Sequence, residues 1–334
     1  MRALFCLAFE KNTSPMSLIL APMEGLVDQY MRTLLTADGA FDHCVTEFLR
    51  VVDRLLPERV FHRLCPESLN GWKTPSGTPV HLQLLGSDAS AMSENACRGA
   101  ELGAPVIDIN FGCPSKTVNK NMGGAILLRE PERIYRILSA IRHALPAHIP
   151  LTAKMRLGFD DKSLAIENAQ AVAAAGVSEL CIHARTKLEG YKPPAHWQWI
   201  ARIKQHITIP VTANGEVWNL EDYLACKAAS DCDQIMIGRG AVAQPDLARW
   251  ITAHEQGQHY TPLPWQAIAP LLHSMLDLMA ADGETHYSVP RVKQWLAFLK
   301  LTYPQANLFF EETKRLRTTD DMRAAIDRAC LSAT

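Results

Sequence analysis

The 334-residue sequence predicts an α/β fold, a (β/α)8 TIM barrel followed by a small, all-helical C-terminal domain. Eight short apolar runs with strand propensity alternate with amphipathic helical stretches from residue 18 onward. Most of these runs lack a strict alternation of polar and apolar residues, as expected for parallel strands buried on both faces. After Ala243 the strand-like runs stop and only helical periodicity remains. A doubly wound open sheet, which has the same alternation, is the alternative fold.

The barrel is predicted over residues 18–250. Its clearest helix begins at Pro131, a residue suited to a first helical turn. Another helix is predicted to begin after Asp88, a candidate N-cap, and to end near Gly103, and a third covers residues 163–176. The predicted strands, in order, are Leu18–Ala21, His43–Thr46, Val80–Leu84, Val106–Asn110, Leu151–Met155, Leu180–His183, Val211–Ala213 and Gln234–Ile237.

The C-terminal domain is predicted over residues 251–334 and follows a polar linker at His254–Pro264. Trp265–Ala281 has helical periodicity, a second helix carries an apolar stripe around Trp295, and Leu308–Arg317 is the third predicted helix. Residues 285–334 hold eight Lys or Arg and five Asp or Glu, whereas the whole chain has a net charge of −1. The composition therefore excludes a globally basic nucleic-acid-binding protein but allows a basic face on this domain.

The N-terminus and the cysteines define the compartment that we expect. Residues 1–17 are predicted to be an extension outside the fold, with Met16 as an alternative start directly before the first strand. No apolar run approaches the roughly 20 residues needed to span a bilayer. The nine cysteines are scattered and include no Cys-x-x-Cys pair, which argues against a zinc site or a disulfide framework. We expect a cytoplasmic, monomeric protein with no metal and no membrane contact.

Polar or backbone-exposing residues follow all eight predicted strands. In a (β/α)8 barrel the carboxyl ends of the strands meet at one mouth, where the active site lies. The sequence therefore predicts that one site contains Pro22-Met23-Glu24, Glu47, Gln83, Asn110, Lys154, His183, Asn214-Gly215-Glu216 and Gly238-Arg239-Gly240.

The last two of these loops have the character of a phosphate site. Glycines at 215, 238 and 240 allow backbone N–H groups to approach an anion, and Arg239 can donate two hydrogen bonds to phosphate oxygens. Nearby, Lys154, His183 and Gln83 could surround a planar heterocycle that becomes anionic on reduction. Lys154 could instead form a Schiff base, as in barrel aldolases. The residues thus predict a phosphorylated cofactor or substrate.

The segment after the fourth predicted strand, Asn110-Phe111-Gly112-Cys113-Pro114-Ser115-Lys116, departs most from ordinary strand-to-helix sequences. A glycine and a proline around the thiol indicate a rigid turn that presents Cys113 at the mouth. A free thiol has a pKa of about 8.5, so it is mostly protonated at neutral pH and can act as a proton donor. We interpret Cys113 as catalytic, and Cys44, Cys97, Cys181, Cys226 and Cys232 as structural.

With these residues assembled, the chain resembles the tRNA-dihydrouridine synthase family, most closely its C-type branch. The resemblance extends from residue 18 to about residue 315. It rests on Ala21-Pro22-Met23-Glu24-Gly25, Cys44-Val45-Thr46-Glu47-Phe48, Asn110-x-Gly112-Cys113-Pro114-Ser115-Lys116, Lys154-Met155-Arg156-Leu157-Gly158, His183-Ala184-Arg185-Thr186, Ala213-Asn214-Gly215-Glu216 and Ile237-Gly238-Arg239-Gly240. Pro75-Ser76-Gly77 and Arg291-x-Lys293-Gln294-Trp295-Leu296 resemble the C-type in particular.

The resemblance implies an FMN-binding barrel and a helical tRNA-recognition domain. The family reduces a uridine of the tRNA D-loop to 5,6-dihydrouridine with NADPH, and the C-type target is the uridine at position 16. Cys113 would be the general acid. FMN would bind Pro22, Met23, Glu24, Gln83, Lys154 and His183 through its ring, and Asn214, Gly215, Glu216, Gly238 and Arg239 through its phosphate. The tRNA-contacting positions would be Arg50, Asn110, Tyr191, Arg291, Lys293, Phe298 and Lys314.

One matching position departs from the family pattern, because Phe298 stands where a tyrosine is expected and lacks its hydroxyl. Three other functions are compatible with parts of the sequence. The chain could be an FMN-barrel reductase of a small molecule whose C-terminal helices dimerise, a Schiff-base aldolase that uses Lys154, or a catalytically silent RNA-binding protein. Flavin reoxidation without RNA, trapping by borohydride, and tRNA retention without a yellow chromophore would respectively identify them.

Overall fold

The computed structural model describes residues 16–331, and within them eight parallel strands close into a barrel. The last strand pairs with the first, with Leu20 opposite Ile237, so the sheet has no open edge there. The fold class predicted from the sequence is confirmed, and the open-sheet alternative is wrong. The strands are β1 Ser17–Leu20, β2 His43–Val45, β3 Leu49–Arg50, β4 Val80–Leu85, β5 Ile107–Phe111, β6 Leu151–Arg156, β7 Glu179–His183, β8 Val211–Asn214 and β9 Gln234–Ile237.

Helices surround the barrel and continue beyond it. The α-helices are α1 Gln29–Leu35, α2 Glu58–Leu64, α3 Ala89–Glu101, α4 Lys116–Lys120, α5 Pro131–Ala144, α6 Ala165–Ala174, α7 Trp197–Lys204, α8 Leu220–Ser230, α9 Arg239–Ala243, α10 Leu247–Glu255, α11 Trp265–Ala281, α12 Thr285–Leu299, α13 Pro304–Thr313 and α14 Thr319–Leu331. Two short 3-10 helices lie at Pro66–Asn70 and Gly124–Arg129.

The predicted helix signals act as expected. Asp88 caps α3 by accepting a hydrogen bond from the backbone N–H of Ala91 at 2.8 Å. Pro131 is the first residue of α5, which packs against α3 and buries an apolar stripe on the barrel. Burial of that stripe, rather than intrinsic propensity, provides most of the stability of such a helix. The stripe consists of Ile134, Ile137, Leu138 and Ile141.

The second barrel strand is interrupted, which the sequence did not predict. It was expected at His43–Thr46, but the chain leaves the sheet after Val45 and rejoins β4 as the short strand β3. In the gap, the Thr46 hydroxyl oxygen accepts a hydrogen bond from the backbone N–H of Gln83 at 3.0 Å. The irregularity turns Glu47 and Phe48 toward the barrel mouth, where both line a cavity. Such interruptions are common beside active sites.

The interior of the barrel is polar below its mouth. His43 and His81 stack with their ring centroids 4.0 Å apart, and burial lowers the pKa of His43 to about 4 and that of His81 to about 3. Both rings are therefore neutral at physiological pH. Asp108 and Glu179 also point inward, and each accepts a hydrogen bond from a threonine hydroxyl of the neighbouring strand. Burial raises the pKa of both carboxyls.

The C-terminal region contains more helix than the sequence analysis assigned. Helix α10 runs across the predicted domain boundary at residue 250 and packs on α8 and α9. The third helix was predicted at Leu308–Arg317 but spans Pro304–Thr313, because Pro304 is the first residue of α13, a position that suits proline. Helix α14 was not predicted at all and packs against α11, where His273 contacts Asp327 at 3.0 Å. The region docks on the barrel through α11 against α1 and α12 against α9.

The predicted N-terminal extension lies almost wholly outside the described residues, and β1 begins at Ser17. Between residues 16 and 331, no helix is both long enough and apolar enough to cross a membrane. In the same part of the chain, no group of three or more His, Cys, Asp or Glu residues is arranged to hold a metal ion.

Candidate active site

A cavity of about 700 Å³ opens at the carboxyl ends of the barrel strands. The predicted site residues outside this cavity are Arg291, Lys293 and Lys314, all in the C-terminal region. The predicted residues that line it come from every strand end of the barrel and from α12. They are Pro22, Met23, Glu24, Arg50, Gln83, Asn110, Cys113, Lys154, His183, Tyr191, Asn214, Gly215, Glu216, Gly238, Arg239 and Phe298.

The turn that carries Cys113 is held by side chains on both sides. The backbone N–H of Gly112 donates to Asn110 Oδ1 at 2.8 Å, and Arg156 Nε donates to the Gly112 carbonyl at 2.8 Å. Asn119 Nδ2 donates to the Cys113 carbonyl at 3.0 Å. These bonds fix the backbone next to the thiol and leave Cys113 9% exposed at the cavity wall.

The Cys113 thiol is protonated at neutral pH. Burial raises the pKa of Cys113, and the nearby Glu24 carboxylate raises it further. A backbone N–H from Ser115 and the charges of Arg156 and Arg50 act in the opposite direction but do not cancel the rise. A thiol in this state is an acid that can donate its proton when negative charge develops on a neighbouring atom.

Lys154 and His183 provide the polar groups deeper in the cavity. Lys154 Nζ donates to Asn214 Oδ1 at 2.9 Å, and burial lowers the pKa of Lys154. Burial also holds the pKa of His183 well below its usual range, with four neighbouring cationic side chains adding to the effect. Its imidazole is therefore neutral, and the buried Nδ1 atom has no hydrogen-bond partner. Since His183 also lines the cavity, this atom is available to hydrogen-bond a ligand there.

The loops after β8 and β9 form a cradle of backbone. Gly215 has φ +118°, a conformation that other residues rarely adopt, and a Cβ there would lie 3.4 Å from His183 Nε2. A Cβ on Gly240 would lie 2.0 Å from the Val217 carbonyl oxygen, so this position requires glycine. The two loops can approach so closely only because of these glycines. Both loops line one end of the cavity, and glycine-rich loops of this kind let backbone N–H groups bind a phosphate.

Arg239 is placed over this cradle by aromatic and acidic neighbours. Its guanidinium lies 4.6 Å from the Tyr191 ring centroid and 4.8 Å from that of Trp218. Glu216 Oε2 is 3.7 Å from Arg239 Nη2 and also pairs with the fully buried Arg185. The residues present therefore fit a flavin mononucleotide: a cradle and a cation for its phosphate, and Lys154, His183 and Gln83 for a planar ring.

Tyr191 stands on the loop between β7 and α7, which Glu189 holds in place. One Glu189 carboxylate oxygen contacts Lys162 Nζ at 2.7 Å and His196 Nε2 at 2.9 Å, and the other accepts from the Thr186 N–H at 2.7 Å. Nothing in the sequence singled out Glu189, and Arg156 was recognisable only as part of a motif. The buried Arg156 side chain fixes Gly112 by donating to its carbonyl. The contact between Arg156 and Gly112 could be recognised only once the neighbouring strands were known.

Two carboxyls occupy the opposite rim. Glu47 accepts a hydrogen bond from the backbone N–H of Gly25 and so ties the interrupted second strand to the loop after β1. Burial raises the pKa of Glu24 to about 7, and the neighbouring Glu47 carboxylate contributes to the rise. The pKa of Glu24 therefore lies near neutrality, and its carboxylate is one of the groups that raise the pKa of Cys113.

The predicted tRNA-contacting residues of the C-terminal region contact the protein itself. Arg291 forms an ion pair with Asp28 at 2.8 Å and donates to the carbonyls of Gly25 and Leu26. Lys293 Nζ donates to the backbone carbonyl of Lys314 at 3.0 Å and to that of Leu316. Lys314 pairs with Glu311 within its own helix end. Phe298 alone of the predicted α12 and α13 positions reaches the cavity.

Comparison with known proteins gives a consistent family match. The family model described as dihydrouridine synthase (Dus) matches residues 19–333. The tRNA-dihydrouridine(16) synthase of Pseudomonas putida is 51% identical over 300 residues, which cover 90% of this chain and 93% of that protein. A protein of the same name from Shewanella oneidensis is 48% identical over 314 residues, covering 94% of this chain and 98% of that protein.

Solved structures match the barrel at low identity. The histamine dehydrogenase of Rhizobium sp. 4-9 superposes with a TM-score of 0.52 at 13% identity, covering 72% of this chain and 46% of that one. A 2-naphthoyl-CoA reductase gives a TM-score of 0.52 at 14% identity, covering 71% of this chain and 50% of that one. This chain thus spans about half the length of each, and the likeness shows the shared fold alone.

Proposed function

Since this chain belongs to the dihydrouridine synthase family, we propose that it reduces the uridine at position 16 of tRNA to 5,6-dihydrouridine, with FMN as bound cofactor and NADPH as reductant. The observation that carries the proposal is the shared cavity, in which the Cys113 turn faces Lys154, His183 and the Arg239 cradle. Relatives named for the 16-position enzyme, at about half identity over nearly their full length, support the choice of uridine.

Named residues of this chain would hold the cofactor. The Asn214–Glu216 and Gly238–Arg239 backbone and the Arg239 guanidinium bind its phosphate, and Lys154, Gln83 and the unpartnered His183 Nδ1 bind its ring. Lys154 in its protonated form would favour an anionic reduced form of the ring. Bound reduced flavin supplies the hydride that is added to C6 of the uracil.

Cys113 completes the reaction at the other carbon of the double bond. Negative charge develops at uracil C5 and O4 as C6 becomes saturated, and the protonated Cys113 thiol donates its proton to C5. The resulting thiolate recovers a proton from solvent or from a neighbouring acid. The bonds from Asn110, Arg156 and Asn119 to the turn keep the sulfur in one position, which general acid catalysis requires.

The target base must leave its stack before it can enter the cavity, at a cost of a few kcal/mol. Tyr191, whose side chain is 52% exposed at the rim, offers an aromatic surface for the extruded nucleoside. Arg50 and the basic residues of the C-terminal helices would contact phosphates and offset this cost, with an affinity that falls as salt rises. We propose that the chain works as a monomer in the cytoplasm, where its tRNA substrate is.

The experiment that tests this function is mass-spectrometric mapping of dihydrouridine in tRNA from cells that lack the protein. Loss of the modification at position 16 alone, restored by the wild-type chain and not by a Cys113→Ala chain, is the expected result. Loss at another position would overturn the assigned uridine. Unchanged dihydrouridine, together with flavin reoxidation by a small enone without RNA, would indicate a small-molecule reductase instead.

A further inference from the structure

A chain of hydrogen bonds runs from the barrel interior to the turn that carries Cys113. Thr152 Oγ1 donates to Asp108 Oδ1 at 2.7 Å, and Gln83 Nε2 donates to Asp108 Oδ2 at 2.7 Å. Gln83 Oε1 accepts from Asn110 Nδ2 at 2.8 Å, and Asn110 Oδ1 accepts from the Gly112 N–H at 2.8 Å. Two amide side chains on neighbouring strands, those of Gln83 and Asn110, thus connect a buried carboxyl to the residue that precedes Cys113.

The two ends of this chain determine its direction. The backbone N–H of Gly112 can only donate, so the oxygen of the Asn110 amide must face it. The Asn110 nitrogen then faces Gln83, and the Gln83 nitrogen must in turn face Asp108. Each carboxyl oxygen of Asp108 accepts a hydrogen bond, one from Thr152 and one from Gln83, which is what this end of the chain requires. Because both ends are fixed, each of the two amides has a single orientation.

Both amides line the cavity, whereas Asp108 lies beneath it and is 5% exposed. Their orientation decides where the cavity offers an N–H donor and where it offers an oxygen acceptor. It also decides whether Gly112 keeps its partner and so whether the Cys113 turn keeps its shape. Burial raises the pKa of Asp108, while the two donated hydrogen bonds and the charge of Lys154 act in the opposite direction.

We propose that Asp108 is a positioning residue of the active site: it orients the Gln83 and Asn110 amides and, through them, fixes the turn that presents Cys113. This rests on the function proposed above, which makes Cys113 the acid and Gln83 a ligand of the cofactor. Asp108 touches neither substrate nor cofactor in this account. It acts only by fixing the direction of the hydrogen bonds that run through Gln83 and Asn110 to Gly112.

Variants that exchange a carboxyl for an amide of the same size at position 108, and an amide for a carboxyl at position 110, test the proposal. In Asn110→Asp, carboxyl oxygens at positions 108 and 110 would both face the single Gln83 amide, and one contact must be acceptor against acceptor. Asp108→Asn alone keeps the chain intact, because its amide oxygen can face Gln83 while its nitrogen donates to the Thr152 hydroxyl. In the double variant the Gln83 amide can turn over, so that its nitrogen donates to the carboxylate at position 110 and its oxygen accepts from the amide at position 108. The Gly112 and Thr152 bonds keep their direction, and every member is satisfied.

Two measurements on the purified full-length protein report on the Cys113 turn and do not require catalysis. Asn110→Asp is expected to change the rate of Cys113 alkylation by iodoacetamide about tenfold or more and to lower the thermal midpoint by about 3–8 °C. Asp108→Asn should stay within about threefold and about 2 °C of wild type. In the double variant, both the alkylation rate and the thermal midpoint should return most of the way to their wild-type values. A double variant as impaired as Asn110→Asp, or worse, would overturn the proposal.

Glu179 provides a matched control, since its carboxyl also points into the barrel and accepts a hydrogen bond from the Thr212 hydroxyl, outside the chain. Glu179→Gln added to Asn110→Asp removes one interior carboxylate but should rescue neither readout. Equal rescue by Glu179→Gln would mean that only the number of buried charges matters, and Asp108 would then have no positioning role. Neither readout needs flavin, so a wild-type chain that binds no FMN would overturn the proposed function and leave this result interpretable.

Discussion

The barrel mouth and the C-terminal helices use their predicted functional residues in different ways. At the mouth, side chains far apart in the sequence converge on one cavity, and His183 retains a polar atom without a partner. In the C-terminal region, Arg291 and Lys293 donate hydrogen bonds to backbone carbonyls of the protein, although the buried Arg291 Nε, like His183 Nδ1, has no partner among the described residues. The cavity at the mouth is thus preformed for a small ligand. In the helical region, by contrast, Arg291 attaches the helices to the barrel.

Helix α12 shows what this attachment does. Positions 291, 294, 295 and 298 lie on one helical face, which points at the barrel. Arg291 and Gln294 bond the loop after β1, Trp295 Nε1 donates to the Val242 carbonyl at 2.9 Å, and Phe298 lines the cavity. The helix is therefore part of the active-site wall as well as of the region expected to bind tRNA.

The sharpest test of the mouth is the thiol. Cys113→Ala should slow tRNA-dependent dihydrouridine formation about 10²- to 10⁴-fold, the usual contribution of a general acid. Steady-state turnover with FMN, NADPH and unmodified tRNA measures it. Cys330→Ala, in α14 and away from the cavity, should retain wild-type turnover. A loss of less than about threefold in Cys113→Ala would remove the thiol from the proton-donor role.

The lysine of the mouth should affect the cofactor more than the fold. Lys154→Met removes a buried ammonium whose hydrogen bond goes to Asn214, and we expect FMN affinity to fall about 10- to 100-fold, the worth of a charged hydrogen bond. Fluorescence titration with FMN measures the change. The thermal midpoint of the flavin-free chain should not fall, since a desolvated charge is removed. Lys227→Met, which breaks a surface pair with Glu255, should bind FMN normally.

The difference between the two regions also explains what the sequence could and could not predict. Strand ends meet at one place in any (β/α)8 barrel, so finding Gln83, Lys154 and His183 at strand ends was enough to place them together. The direction of a helical side chain depends on how that helix docks, which no local pattern records. The resemblance predicts that Arg291 contacts tRNA, which stays a prediction, and its ion pair with Asp28 emerged only from the structure.

The same reasoning accounts for the residues that were missed. Asp108 and Glu179 resembled ordinary strand residues, because inward or outward direction is ambiguous in a strand buried on both faces. Arg156 was hidden in the same way, since its partner Gly112 lies on the neighbouring strand. Helix α14 was missed although Met322, Ala325 and Ile326 recur at helical spacing and are buried, because a stripe that relies on alanine is a weak apolar signal.

Two basic residues of the C-terminal region should separate attachment from RNA binding. Arg291→Ala removes an ion pair that is 13% exposed on the arginine side, so it should weaken tRNA binding about tenfold and also lower the thermal midpoint by about 2–6 °C. Lys314→Ala should weaken tRNA binding only about two- to fivefold and leave the midpoint unchanged. In both variants, the slope of the logarithm of tRNA affinity against the logarithm of salt concentration should become shallower by about 1, as expected for the loss of one phosphate contact. Equal midpoints for the two variants would contradict the contrast drawn here.

The smallest expected effect concerns Glu24. Its pKa is raised to about 7 by burial and by Glu47, so the folded state favours the protonated carboxyl more than the unfolded state does. The stability from this group is present below about pH 4.5 and is lost as the pH rises through about 7. Glu24→Gln should therefore reduce the fall in thermal midpoint between pH 5 and pH 8. Parallel curves for wild type and Glu24→Gln would show that Glu24 has an ordinary pKa.

The central claim is that Cys113 donates a proton to the uracil and takes no part in loading the flavin with electrons. Stopped-flow absorbance of the Cys113→Ala chain measures the two halves of the cycle separately. We predict that NADPH bleaches the flavin at the wild-type rate, while tRNA restores the yellow colour at least about a hundredfold more slowly than in the wild type. Equal slowing of both phases, or of neither, would contradict the claim.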